Sequence, residues 1–436
     1  MSENKSTRGG SAESDGIRAP LLPFILITSL FFMWGLANNL TDTLLAAFKR
    51  IMSMSDFQTS WIQIAFYGAY FCLALPAAVF IKRFTYKSGV LLGLGMYVVG
   101  AMMFYPSSIT MQYGFFLGSL YVLAGGLAVL ETSCNPYIIA MGEEASGTRR
   151  LNLAQSFNPI GSISGVVISK FYILSQLNVT GAEERAAMSA SELQAIQKAE
   201  LDAVMGPYVA LGFVLLTIWI TIAAVPMPRA STESATVDLR ATIKRLLKKK
   251  NYVGGVVAQF FYVGAQICVW SFTIRYVMEE LDLTESGASN YYIAALIVFT
   301  LFRFINTYLM KYIRPTNLLM GSALLGSLCT FVVIAGSGYV GVIALVAISG
   351  FMSLMFPTIF GLASEGLGED TKIGSSGLIM AIGGGALLPA LQGVLSDATG
   401  SIHISFWIPL LCFLVVAFYG FISRQYSLTP AKVQGK

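Results

Sequence analysis

Charge is what this sequence has least of. Only 12% of its 436 residues are Asp, Glu, Lys or Arg, against about 25% in globular domains. Hydrophobic residues make up 55% and mean hydropathy is +0.68, which excludes a soluble domain and places the chain in a membrane. There is one histidine, His403, in a short connection near the C-terminus, a poor position for a proton relay. The five cysteines, Cys72, Cys134, Cys268, Cys329 and Cys412, all fall in apolar runs without a C-x-x-C pair or a Cys/His cluster. They read as small buried hydrophobes, and no metal site is expected. A G-x-x-x-x-G-K-[ST] loop is absent, so nothing points to ATP-driven transport. Neither a nucleophile/base pair nor a cofactor motif appears, so no enzyme, no cofactor and no nucleic-acid partner is expected. No cleavable signal pattern precedes an apolar run, and the polar, Gly/Ser-rich residues 1–19 are expected to be a disordered cytoplasmic N-terminus.

Long apolar runs are abundant. Twelve spans are expected, at 20–48, 57–81, 88–105, 113–141, 151–176, 207–227, 252–278, 287–310, 316–336, 338–364, 373–395 and 403–423. About 20 residues suffice to cross a bilayer. With the N-terminus inside, nearly all basic residues fall in cytoplasmic segments, including Lys82, Arg83, Arg149, Arg150, Arg245, Lys249 and Lys372. The outer segments hold only Lys49, Arg50, Arg185 and Lys198. This positive-inside bias puts both termini, with the tail 424–436, in the cytoplasm of a multi-pass inner-membrane protein.

The inner connection 228–251 divides the spans six and six, giving a bundle at 20–227 and a second at 252–423. Its RATIKRLLKKK portion is expected to be a basic amphipathic helix on anionic membrane lipid. The outer connection 177–206 contains SASELQAIQKAELDAVM, a short surface helix capped by Ser189 or Ser191. Asn178-Val179-Thr180 matches a glycosylation sequon, more simply by chance. The halves echo each other: FIKRFTYKSGVLLG follows span two and LMKYIRPTNLLMG follows span eight. Asn135-Pro136 in span four stands where span ten has Phe356-Pro357. Repeated halves with a site between them are a secondary-transporter plan.

Polar groups inside the spans mark that site. The first span carries Trp34, Asn38, Asn39 and Asp42, with Trp34, Asn38 and Asp42 along one slowly drifting stripe. A carboxylate at membrane depth costs at least about 2.5 kcal/mol and usually faces a bundle interior or a water-filled cavity. Only Asp42 and Glu131 are acids well inside spans, and Asn135 lies one turn beyond Glu131. A carboxyl held away from water favours its protonated form, which suits proton loading; a hydrogen-bonded neutral carboxyl in a packed interface is the structural alternative. The bases are Lys170 and Arg275, near outer ends, and Arg303, deeper, whose fork fits a carboxylate or backbone carbonyls. Gln155, Asn158 and Ser162 in span five and Gln259, Tyr262 and Gln266 in span seven add amides and a phenol. Such groups suit a neutral polyol, with donors and acceptors for hydroxyls and ring faces for C–H surfaces; interhelical amide bonding is the alternative. Gly374-Ser375-Ser376-Gly377, Gly383-Gly384-Gly385 and Pro389 make span eleven thin and kinked, for close packing or for hinge motion.

FFMWGLANNLTDTLL, LETSCNPY, RRLNLAQSFN, AQFFYVGAQICVWSFTIRY and FPTIFGLASEGLGEDTKIGSS, in that order, resemble the fucose/proton symporter family of the major facilitator superfamily. The resemblance covers nearly all the spans. It departs in LLAAF, where a proline is usual, and in Ser133-Cys134 before the Asn-Pro pair. It implies an all-α fold of twelve helices in two six-helix bundles that rock about a central site. It implies proton-coupled uptake of a neutral sugar by a monomer, with L-fucose favoured over glucose, galactose or N-acetylglucosamine. It assigns the proton mainly to Glu131, and Asp42, with Asn38 or Asn39, to the sugar; Gln155 and Asn158 match the family's polar residues of helix five. A drug/proton antiporter is the rival of another class; the amides and aromatics argue against it.

Overall fold

The computed structural model describes residues 21–51, 56–110, 112–169, 171, 188–228 and 238–426. The side chains of 41–51 and of a few other helical positions lie outside the described residues. The architecture is all helical among the described residues. α1 (Leu21–Ile51), α2 (Asp56–Arg83), α3 (Tyr86–Thr110) and α4 (Tyr113–Ala140) follow the first four expected spans. Then come α5 (Gly147–Gln155), α6 (Phe157–Ile168), α7 (Ala190–Ala224), α8 (Leu239–Lys248), α9 (Lys250–Leu281), α10 (Glu285–Leu309) and α11 (Pro315–Ala335). The chain closes with α12 (Gly338–Met352), α13 (Met355–Ser364), α14 (Thr371–Met380), α15 (Gly384–Thr399), α16 (Ile402–Ser405) and α17 (Trp407–Ser423). Ten described segments are long and apolar enough to cross a membrane, and Val209–Ala224 is a shorter apolar stretch.

Four expected spans are broken helices, and each break has a local cause; span twelve divides at Phe406, just before Pro409. Span five divides at Ser156, just before Pro159, and span ten divides at Ser353-Leu354, just before Pro357. A proline has no N–H for the carbonyl four residues back, so Gln155 and Ser353 keep free carbonyls. Span eleven breaks at Ala381–Gly383 rather than at Pro389, which lies inside α15. There a β-carbon on Gly384 would stand 2.0 Å from the Phe260 carbonyl oxygen, so α15 meets the α9 backbone directly.

The expected surface helix near 190 and the sixth span are one helix, α7, with Pro207 inside it. Its start is a capping box: Ser189 accepts from the Glu192 N–H, and the Glu192 carboxylate accepts from the Ser189 N–H at 3.1 Å. That reciprocal pair satisfies two end donors. The exposed Glu192 carboxyl is held below its usual range by hydrogen bonds from Ser189. At the other end of the membrane, Arg150 donates to the Ile138 and Ile139 carbonyls in the last turn of α4 and to that of Glu143 just beyond it. Lys170 and the Asn178-Val179-Thr180 sequon lie outside the described residues. Arg275 is exposed. His403 is bonded to Glu280 Oε1 through Nε2 (2.7 Å) and to the Val333 carbonyl through Nδ1 (3.0 Å), a staple between α9, α11 and α16.

Helices pack mainly within two groups: α1 on α6, and α2, α3, α4 and α7 together; then α9 on α13, α15 and α17, α10 on α12, and α11 on α12 and α17. The groups meet through α14 on α2 and α4, α13 on α5, and α10 on α5 and α6. Toward one end, Asn152 donates to Thr358 (3.2 Å) and the Gly366 N–H to Glu144 (3.0 Å). That end carries Arg149, Arg150, Lys249 and Lys372, the side predicted to be cytoplasmic, and it is closed.

Candidate functional site

α1 and α6 cross with their backbones touching. A β-carbon on Gly35 would stand 1.9 Å from the Asn158 carbonyl oxygen, and one on Gly161 1.9 Å from that of Phe32. Only glycine permits that approach, and it places the polar stripe of α1 beside that of α6. Asn158 Nδ2 donates to the Phe31 carbonyl (3.1 Å), and Asn39 Nδ2 to that of Gly35 (3.2 Å).

Between the two helix groups lies a cavity of about 620 Å³, within the range of roughly 300–1,000 Å³ usual for small-molecule sites. One wall is polar: Trp34, Asn38, Asn39, Glu131, Gln155, Asn158 and Ser162. The facing wall is largely apolar, with Trp270, Tyr292, Phe299 and Phe356 beside Gln266 and Arg303, and Phe66, Tyr67 and Tyr70 add rings on the first side. Trp34 stacks on Phe31 at 5.9 Å, and Trp270 meets Phe299 edge-on at 5.1 Å. Asn38 Oδ1 is buried without a hydrogen-bond partner among the described residues.

Seven residues expected from sequence thus meet in one place: Trp34, Asn38, Asn39, Glu131, Gln155, Asn158 and Gln266. Three do not line it. Asn135 is fully buried behind the wall, its Oδ1 accepting from Gln155 Nε2 (2.9 Å), so it orients Gln155. Tyr262 is 0% exposed and donates to the Met352 carbonyl (3.1 Å). Gln259 is also 0% exposed, with neither amide atom partnered among the described residues. The Asp42 side chain lies outside the described residues; its backbone continues α1 one turn beyond Asn38.

Glu131 is 4% exposed and accepts from the Tyr70 hydroxyl at 3.0 Å. No lysine or arginine pairs with it among the described residues. Arg303 has another task. Its Nε donates to the Ser353 carbonyl (2.7 Å) and its NH1 to that of Gln155 (3.0 Å), the two carbonyls freed by Pro357 and Pro159. Its guanidinium also lies 4.9 Å over the Phe299 ring. The two broken helices, one from each group, are therefore bridged at the cavity floor by one side chain. Tyr70 and Trp270 were not singled out by sequence reasoning, since a tyrosine in an aromatic-rich span carries no mark of its partner.

The arrangement is a cavity between two helix groups, lined by amides and aromatic rings, with a buried carboxyl that has a phenolic partner and no basic one among the described residues. Known proteins resemble the chain in sequence and fold. An L-fucose-proton symporter of Haemophilus influenzae is 43% identical over 415 residues, 92% of this chain and 96% of that one. One of Escherichia coli is 37% identical over 429 residues, 97% and 98%. The crystal structure of the transporter FucP in the outward conformation superposes with a TM-score of 0.89 at 37% identity, covering 93% of this chain and 99% of that one. The Major Facilitator Superfamily pattern matches residues 24–384, and with the fold and the cavity in agreement this chain belongs to that superfamily.

Proposed function

We propose that this chain is a proton-coupled sugar importer of the inner membrane that works by alternating access, with L-fucose as its substrate. The observation that carries the reading is the cavity itself, where amides and aromatic faces surround one buried carboxyl, Glu131, that has no basic partner among the described residues. The L-fucose-proton symporters that the chain matches along nearly its whole length support the sugar and the coupling ion.

In the cycle we infer, Glu131 takes a proton from outside, and the sugar binds Asn38, Gln155, Asn158 and Gln266 between Trp34 and Trp270. The resemblance adds Asp42 to the sugar site. The bodies 20–227 and 252–423 then rock, Arg303 releases one of its two carbonyls at the floor, and sugar and proton leave inward. One charge crossing 100 mV supplies about 2.3 kcal/mol. The proton is cargo, and no cofactor or chemical conversion has a part. The chain acts as a monomer.

A panel of sugars presented to weakly buffered cells expressing the protein tests this reading. L-Fucose alkalinises the medium, and glucose, galactose and N-acetylglucosamine do so less. No pH change with any sugar, despite proven expression, would refute proton symport. A response to galactose or glucose above that to L-fucose would move the substrate.

A further inference from the structure

α8 lies outside the transport cavity and has no role in the cycle above. It is a ten-residue helix, LRATIKRLLK, started by Asp238, whose Oδ1 accepts from the Ala241 N–H at 2.9 Å. One residue, Lys249 in extended conformation, joins it to the membrane helix α9, so it sits at the bilayer surface. Its sides are sharply different. Thr242 and Leu246 are buried, and a β-carbon on Gly374 of α14 would lie 3.4 Å from Leu246. Next to that packed face, Ile243 is 37% and Leu247 66% exposed. Beyond them Arg240, Lys244 and Lys248, spaced i, i+4, i+8, form an exposed basic stripe. On the far edge Arg245 forks onto Asp370, with Nε to Oδ2 at 2.9 Å and NH2 to Oδ1 at 2.6 Å. Lys249 Nζ donates to the Gly366 carbonyl.

Two large apolar side chains beside a basic stripe are the signature of a helix lying in a lipid interface, apolar groups at the acyl boundary and cations at headgroup depth. A soluble polyanion would use the stripe and leave Ile243 and Leu247 in water. We propose that α8 is a docking site for anionic lipid headgroups on the cytoplasmic leaflet. Arg245 and Lys249 tie the docked helix to the segment leading into α14, the helix that packs on α2 and α4 where the two groups meet. Anionic lipid on α8 thereby braces the closed cytoplasmic side. The inference needs the membrane fold and not the identity of the sugar.

The test uses the full chain in vesicles, with Leu247→Cys carrying an environment-sensitive fluorophore in a Cys72→Ala background, since Cys72 is exposed. In phosphatidylcholine mixed with phosphatidylglycerol the label is shielded from the neutral aqueous quencher acrylamide several-fold more than in phosphatidylcholine alone. Replacing the stripe by Arg240→Gln, Lys244→Gln and Lys248→Gln lowers the ratio of docked to free helix about a hundredfold, about fivefold per charge, and abolishes the dependence on lipid. Equal quenching in both vesicles overturns the proposal, and because it compares one protein in two lipids it holds even if the triple variant misfolds. Shielding by inorganic phosphate in neutral vesicles, equal to that by phosphatidylglycerol, also overturns it by assigning the stripe to a free anion.

Discussion

The Tyr70 hydroxyl stands 3.0 Å from Glu131 Oε1, bridging α2 and α4 at the cavity wall. A buried carboxylate with a single phenolic donor depends heavily on it, because hydrogen bonds to charged groups contribute about 1.5–3 kcal/mol. Tyr70→Phe keeps the ring and removes the donor. Uphill uptake slows by about tenfold or more while sugar affinity stays within about twofold, as measured by uptake rate against equilibrium binding. Unchanged uptake would remove Tyr70 from the proton step.

Arg303 caps two carbonyls that prolines leave open in different helix groups. Arg303→Met leaves both buried and unpaired, at about 1–3 kcal/mol each. Thermal melting of the purified protein shows a loss of about 2–6 kcal/mol. Arg303→Lys recovers only part of it, since an ammonium lacks the rigid fork. Full recovery by lysine would mean that charge matters there and geometry does not.

Gly35→Ala and Gly161→Ala place a β-carbon within 1.9 Å of a facing carbonyl oxygen. Separating α1 from α6 costs about 1–3 kcal/mol and displaces Asn38 from Asn158, so sugar binding drops with stability. Gly118→Ala, with nothing within 4 Å of the added carbon, is neutral in the same binding and melting assays.

The staple of His403 with Glu280 and the Val333 carbonyl holds one end of the second helix group and lies away from the cavity. His403→Ala lowers stability by about 1–3 kcal/mol and leaves the affinity for sugar intact. A lost affinity at unchanged melting temperature would place His403 in the transport path.

Much of this was legible in the sequence, and the failures share a cause. Trp34, Asn38, Glu131, Gln155 and Asn158 were found because polar groups in apolar spans are costly and therefore conspicuous. Gln259, seven residues from Gln266, shares its helix face, yet it is fully buried while Gln266 lines the cavity. Periodicity gives the face of a helix and says nothing of the depth at which a cavity ends. The breaks at Ser156 and Ser353 were signalled by Pro159 and Pro357, but nothing local to either helix announces that Arg303 takes both freed carbonyls. Continuity of α7 through Pro207 was missed because a proline between a polar and an apolar stretch reads as a boundary.

Glu131 as the proton carrier is the central claim, and Glu131→Gln addresses it most directly, because the amide keeps the shape and cannot load or release a proton. Sugar-induced alkalinisation, uphill accumulation and counterflow exchange are compared with the parent protein across external pH. With Glu131 as the carrier, the variant shows no alkalinisation, no accumulation, and exchange that persists without pH dependence. Accumulation of sugar against a gradient by Glu131→Gln, with alkalinisation intact, would contradict it.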